Sequence, residues 1–96
     1  MGRVGRSRLS YIRALAASGL LRTMTRDELT LYLCLVLMVP DLRRRYRVSR
    51  GRLRHRLGLT ATRLDRAWRG LARKGLVRAP MTRRALVEVR LGRPGA

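Results

Sequence analysis

Thr62, Arg66, Arg69 and Arg73 recur at offsets of four, seven and eleven residues. At about 100° per residue this spacing sets them along one face of a helix. Leu64, Ala67, Trp68 and Leu71 fall on the opposite face. One side can therefore pack into a core while the other presents a line of guanidinium groups. A guanidinium forks onto a phosphate, or onto O6 and N7 of guanine, and the methyl of a threonine can touch a thymine methyl. In a helix docked in a duplex groove, the first turns approach base edges. Thr62, Arg63 and Arg66 are then the candidate base-reading residues. Arg69 and Arg73, further along, are candidates for phosphate contact. Ser49, Arg50 and Thr60, at two helix starts, join them as candidate backbone contacts. The alternative is a solvated basic face that touches nothing. The preceding helix, the turn and the charge of the chain all argue for the interface.

That charge is +19, from 24 Lys+Arg against 5 Asp+Glu. It attracts polyanions and repels itself in a compact chain. Nucleic acid is the leading expected partner, and an acidic membrane surface the weaker one. All the basic residues except Lys74 are arginine. GC-rich coding would produce that bias, and so would a need for bidentate phosphate contacts. Ninety-six residues suffice for one domain. Their apolar fraction of 46% excludes wholesale disorder. With 4% aromatic residues and no Phe, the core must be built mainly from Leu, Val and Ala.

Other chemistries find little footing. No P-loop, dinucleotide fingerprint, zinc spacing or nucleophile arrangement is present, so no catalytic site, cofactor or metal is expected. His55 is the only histidine, which excludes a His-based metal cluster. Asp27 and Glu28 sit at a helix start and complement its dipole rather than forming a catalytic pair. Tyr11, Tyr32, Tyr46 and Trp68 are too scattered for a single-strand stacking platform. Cys34 stands alone in an apolar run and reads as a small buried hydrophobe in a reducing compartment. The run 29–39 is too short to span a bilayer, and no signal peptide is apparent. A cytoplasmic, nucleoid-associated protein is the expectation.

The elements that must position the basic helix can be read from caps and periods. Residues 1–6 form a basic arm, expected to be flexible. Ser7 caps a first helix over 7–18, with Leu9, Ile12, Leu15 and Ala16 on one face and Gly19 as its stop. This helix either supports the core or pairs two copies as a homodimer. Thr25-Arg26-Asp27-Glu28 is a capping box, with Met24 and Leu29 spaced as a hydrophobic staple. The helix over 26–39 is apolar nearly all round and should be central. Residues 41–47 read as a loop carrying Arg43, Arg44, Arg45 and Arg47, either solvated or against nucleic-acid backbone. Ser49 caps a third helix with Leu53 and Leu57 inward, and Gly58 ends it. Thr60 caps the fourth. Val48/Leu53 and Leu59/Leu64 repeat the staple spacing, so three helix starts use one device. After Gly75 the period becomes two over 85–91, the mark of a half-buried strand. A shorter partner over 76–79 and a hairpin tip carrying Arg83-Arg84 complete the chain before a loose tail, 92–96.

Together, Val48-Ser49, Leu53, Leu57-Gly58-Leu59-Thr60, Leu64, Arg66, Leu71 and Gly75-Leu76-Val77 resemble the winged helix-turn-helix of MarR- and GntR-type bacterial regulators. That family runs from a capping Ser, through a Leu-Gly-hydrophobic-Ser/Thr turn, to a Gly-Leu-Val that enters a wing. The resemblance is close over residues 48–77 and looser over 25–91. It implies an α+β, mainly α domain over 7–91, with about four helices and a C-terminal two-stranded wing. It implies double-stranded DNA as partner, a helix over 60–74 in the major groove, and a wing over 78–91 on backbone or minor groove. Arg83 and Arg84 would be the wing-tip contacts. A looser resemblance, carried by the capped helix before the motif, is to N-terminal domains of plasmid and phage replication proteins. Two departures stand out. Arg54 replaces the family's Ala where two helices approach, and Gly51, Arg52, Ala72 and Arg73 stand where acidic residues are common. The missing acids imply strong nonspecific affinity.

The expected activity is therefore non-enzymatic DNA binding with a transcriptional outcome. The alternatives are an architectural or replication protein of low sequence preference, and an RNA- or ribosome-associated winged-helix protein.

Overall fold

Three hydroxyl side chains set where the helices begin. In the computed structural model, which describes residues 2–39, 42, 44–82 and 85–94, Thr25 Oγ1 accepts from Glu28 N at 3.1 Å. Ser49 Oγ accepts from Arg52 N at 3.2 Å, and Thr60 Oγ1 from Arg63 N at 3.2 Å. Each satisfies an amide that helix geometry leaves without a carbonyl. At Thr25 the capping box is complete, because Glu28 Oε1 accepts from Thr25 N at 3.1 Å. The helices among the described residues are α1 (Gly2–Ala17), α2 (Arg26–Met38), α3 (Arg50–Leu57) and α4 (Ala61–Arg73), with a 3-10 turn at Leu20–Arg22. Two short strands, β1 (Tyr46–Ser49) and β2 (Leu86–Val89), pair antiparallel. The chain is mainly helical with one small sheet, an α+β architecture.

The core lies between α2, α4 and the inner face of the sheet. Leu31, Tyr32, Leu35 and Val36 of α2 meet Leu53 of α3, Leu64, Trp68 and Leu71 of α4, and Val48, Val87 and Val89 of the strands. Burial of this apolar surface is the main source of stability. Two buried polar side chains are satisfied at its edge. Trp68 Nε1 donates to Ala79 O at 2.8 Å, and the Tyr32 hydroxyl to Gly92 O at 3.2 Å. Burial holds the Tyr32 hydroxyl well above its usual pKa. Trp68 is thus a core residue, as its position in the helical pattern indicates. α1 lies against α2 through buried Leu15 and half-buried Tyr11, and Arg8 Nη1 donates to the Val36 carbonyl.

Five local readings differ from the structure. The first helix begins at Gly2, not at a Ser7 cap, so residues 2–6 continue the helix where an arm was expected. Its inward residues are Tyr11 and Leu15, leaving Leu9 and Ala16 exposed and Ile12 half-buried. α2 is not enclosed on every side, since Leu37 is 66% exposed and Cys34 half-buried.

The last two concern the sheet. Tyr46–Ser49, read as loop and helix start, is a strand, with Val48 opposite Val87 and Ser49 opposite Leu86. Tyr46 and Val48 share the inner side, but only Val48 is buried and Tyr46 is 38% exposed, so a run of four residues gives too short an alternation to stand out. The strand exists because β2 offers it a ladder. The expected partner over 76–79 contributes only a bridge, Val77 to Leu91. Its pairing ends after Arg78 N donates to Arg90 O at 2.8 Å. Beyond that, Trp68 takes the Ala79 carbonyl, and Pro80 has no amide to donate.

Candidate nucleic-acid interface

α4 follows α3 through a turn that fixes their relative direction. Gly58 adopts φ 64° and caps α3, its amide donating to Arg54 and His55 carbonyls. A side chain there would be strained, which is why the turn carries glycine. Leu59 is buried beneath the turn, and Thr60 opens α4. Leu64, Ala67, Trp68, Gly70 and Leu71 are buried. Thr62, Arg66, Arg69 and Arg73 are all exposed on the other side. Among the described residues, none of these three arginines has an ion pair.

Other cations near α4 are held. Arg63 grips Asp27 at the start of α2 with two parallel bonds, Nε to Oδ2 at 3.0 Å and Nη2 to Oδ1 at 2.8 Å. The hydrogen bonds from Arg63 hold the Asp27 carboxyl below its usual pKa and raise that of Arg63 in turn. Arg50 Nη2 reaches Asp65 Oδ1 at 2.9 Å, tying the first residue of α3 to α4. The Arg50 Nε is buried without a partner.

The third pair was not foreseen. Lys74, at the end of α4, sets Nζ 2.9 Å from Oε1 of Glu28, whose side chain is 7% exposed. The same carboxylate lies against Gly70, where a Cβ would come within 1.9 Å of Oε2. Gly70 is therefore glycine because α2 and α4 meet there across a buried carboxylate. A glycine inside an otherwise strong amphipathic helix, together with the chain's only lysine, were the available signals. Among the described residues all four acids, Asp27, Glu28, Asp65 and Glu88, are in ion pairs.

The candidate residues thus separate. Thr62, Arg66, Arg69 and Arg73 share one open face. Arg63 and Arg50 have their guanidinium groups on carboxylates, and the Ser49 and Thr60 hydroxyls are engaged as caps. Arg83 and Arg84 lie outside the described residues. Arg54 is half-buried, and its Nε donates back to Leu59 O at 3.4 Å. His55 is exposed. The Cys34 thiol is pushed up in pKa by burial and lies 3.4 Å from the Met38 sulfur.

A cleft of about 270 Å³ runs beside α4, lined by Asp65, Trp68, Arg69, Ala72 and the segment Pro80, Met81 and Thr82. Among the described residues, no three His, Cys, Asp or Glu side chains are grouped to hold a metal ion. No helix among them is long and apolar enough to cross a membrane. No family model, curated protein or solved structure matches this chain.

Proposed function

We propose that this protein binds double-stranded DNA as a winged helix-turn-helix, without catalysis, and regulates transcription at the sites it occupies. One observation carries the reading. The outer face of α4 holds Arg66, Arg69 and Arg73 exposed and without an ion pair among the described residues, on a helix whose other face is anchored in the core. Residues 60–74 lie in the major groove, where Thr62 and Arg66 read base edges and Arg69 and Arg73 meet phosphates. The wing, residues 78–91, follows backbone or minor groove. Two copies pair through α1, whose Leu9 is 46% exposed.

A reading with little base preference, as in an architectural or replication protein, is favoured by a different observation. Arg63, on the first turn where bases are read, is occupied by Asp27. That leaves Arg66 as the one long donor on the open face near the start of the helix.

Selection from a randomised duplex library at two salt concentrations separates these readings. An enriched, salt-resistant motif supports the regulator, and enrichment should flatten in Arg66→Ala. Arg73→Ala should weaken all sequences alike and lower the salt slope by about 0.9. Binding without enrichment that collapses with salt supports the architectural reading. Preference for structured RNA over duplex at matched salt would overturn both.

A further inference from the structure

The strands have a second face that the core does not use. Val48, Val87 and Val89 point inward and are buried. By alternation, Arg47, Leu86 and Glu88 point outward, with Arg47 directly opposite Glu88. Arg45, just before β1, sets Nη1 3.5 Å from Glu88 Oε1. Past β2 the pairing continues between Arg78 and Arg90, both exposed. Their neighbours Val77 and Leu91 are buried, so Arg78 and Arg90 share the outward side. Four arginines therefore surround one glutamate on a face that adds nothing to the core. At such spacing the uncompensated charges repel one another until an anion lies among them.

The shape of this face favours a polymer. Arg45, Arg47, Thr82, Ala85, Leu86 and Glu88 line an open cleft of about 630 Å³. Thr82 also lines the cleft beside α4 that contains Arg69. One residue thus borders both, and the cationic surface passes from α4 across the segment 80–82 to the sheet. The floor at Ala85 and Leu86 offers apolar contact to sugars between arginines placed for phosphates.

We infer that the outer face of the sheet is a second phosphate-binding surface, continuous with that of α4 across Thr82, which takes the sugar-phosphate backbone of the same duplex. The inference rests on the DNA-binding reading, names Arg78 and Arg90 as contacts within its wing, and extends the surface beyond the wing to Arg45 and Arg47. These residues supply affinity without base discrimination. Glu88 limits that affinity by holding part of the charge.

The test uses the full chain and a mixed-sequence duplex of about two turns (~21 bp), titrated over a range of salt with stoichiometry measured. Arg45→Gln/Arg47→Gln and Arg78→Gln/Arg90→Gln should each lower the salt slope by up to about 1.8, two contacts' worth, leaving sequence preference unchanged. Glu88→Gln should bind several-fold tighter, a gain that misfolding cannot produce. Sheet variants that bind like the wild type, while Arg69→Ala/Arg73→Ala binds weakly, would overturn the inference and leave the DNA reading standing. If neither set weakens binding, the DNA reading fails and the inference with it. A loss confined to a second equivalent of duplex would overturn the shared track, because the sheet would then serve another molecule.

Discussion

At the junction of α2, α3 and α4, Arg50, Arg63 and Lys74 each face a carboxylate. One helical turn away on the outer side of α4, Arg66, Arg69 and Arg73 are in no ion pair among the described residues. Both groups are cationic, and composition alone does not tell them apart. The difference is that the junction's cations are in ion pairs and those of the outer face are not. With 5 acidic residues in the chain, pairing is scarce, and where a pair occurs it marks a join between elements. Asp27 joins α2 to α4, Asp65 joins α4 to α3, and Glu28 joins α2 to the end of α4. The cations left over are the ones available to a partner.

Breaking the junction should cost stability first. Glu28→Ala removes half of the capping box and leaves Lys74, 19% exposed, beside an apolar gap. A loss of about 2–4 kcal/mol is expected in denaturant unfolding followed by Trp68 fluorescence. Gly70→Ala should destabilise by about 1–3 kcal/mol, because its Cβ meets a carboxylate that the cap and Lys74 hold in place. In the Glu28→Ala background the obstacle is gone. There Gly70→Ala should be neutral, or stabilising by up to about 1 kcal/mol from helix propensity. An unchanged penalty in that background would place the steric conflict elsewhere.

Tyr32→Phe touches neither group of cations and calibrates the comparison. It should cost about 1 kcal/mol for the lost bond to the Gly92 carbonyl. The wild type should also lose stability as pH rises above about 10, since the unfolded chain ionises there while the buried hydroxyl resists. Tyr32→Phe should lose less over the same range. The smallest effect is expected at the exposed pair. Asp27→Asn releases the Arg63 guanidinium and should tighten duplex binding a few-fold with a steeper salt slope, and Arg63→Ala should cancel that gain.

What could be read in the sequence was whatever a few neighbouring residues decide. Thr25, Ser49 and Thr60 each act on an amide three positions away, so their caps were legible, as was the division of α4 into an apolar and a basic side. Gly58 was legible because the turn between α3 and α4 requires its conformation. Tyr46–Ser49 was not, because its alternation runs for only four residues and the ladder comes from Leu86–Val89, far along the chain. The ion pairs were invisible for the same reason. Nothing near Arg63 in the chain indicates that Asp27 of α2 lies opposite it and pairs with it. Gly70 is intermediate. Its oddity shows in the helix, but its cause, Glu28, shows only when α2 and α4 are brought together.

The measurement that tests this division most directly is the salt dependence of duplex binding by Arg66→Gln/Arg69→Gln/Arg73→Gln beside Arg63→Gln, each first checked for a wild-type circular dichroism spectrum. The account predicts that the triple variant loses close to three contacts, about 2.7 in slope, while Arg63→Gln keeps the wild-type slope. A triple variant that binds like the wild type, or an Arg63→Gln loss as large per residue as that of the triple, would contradict it.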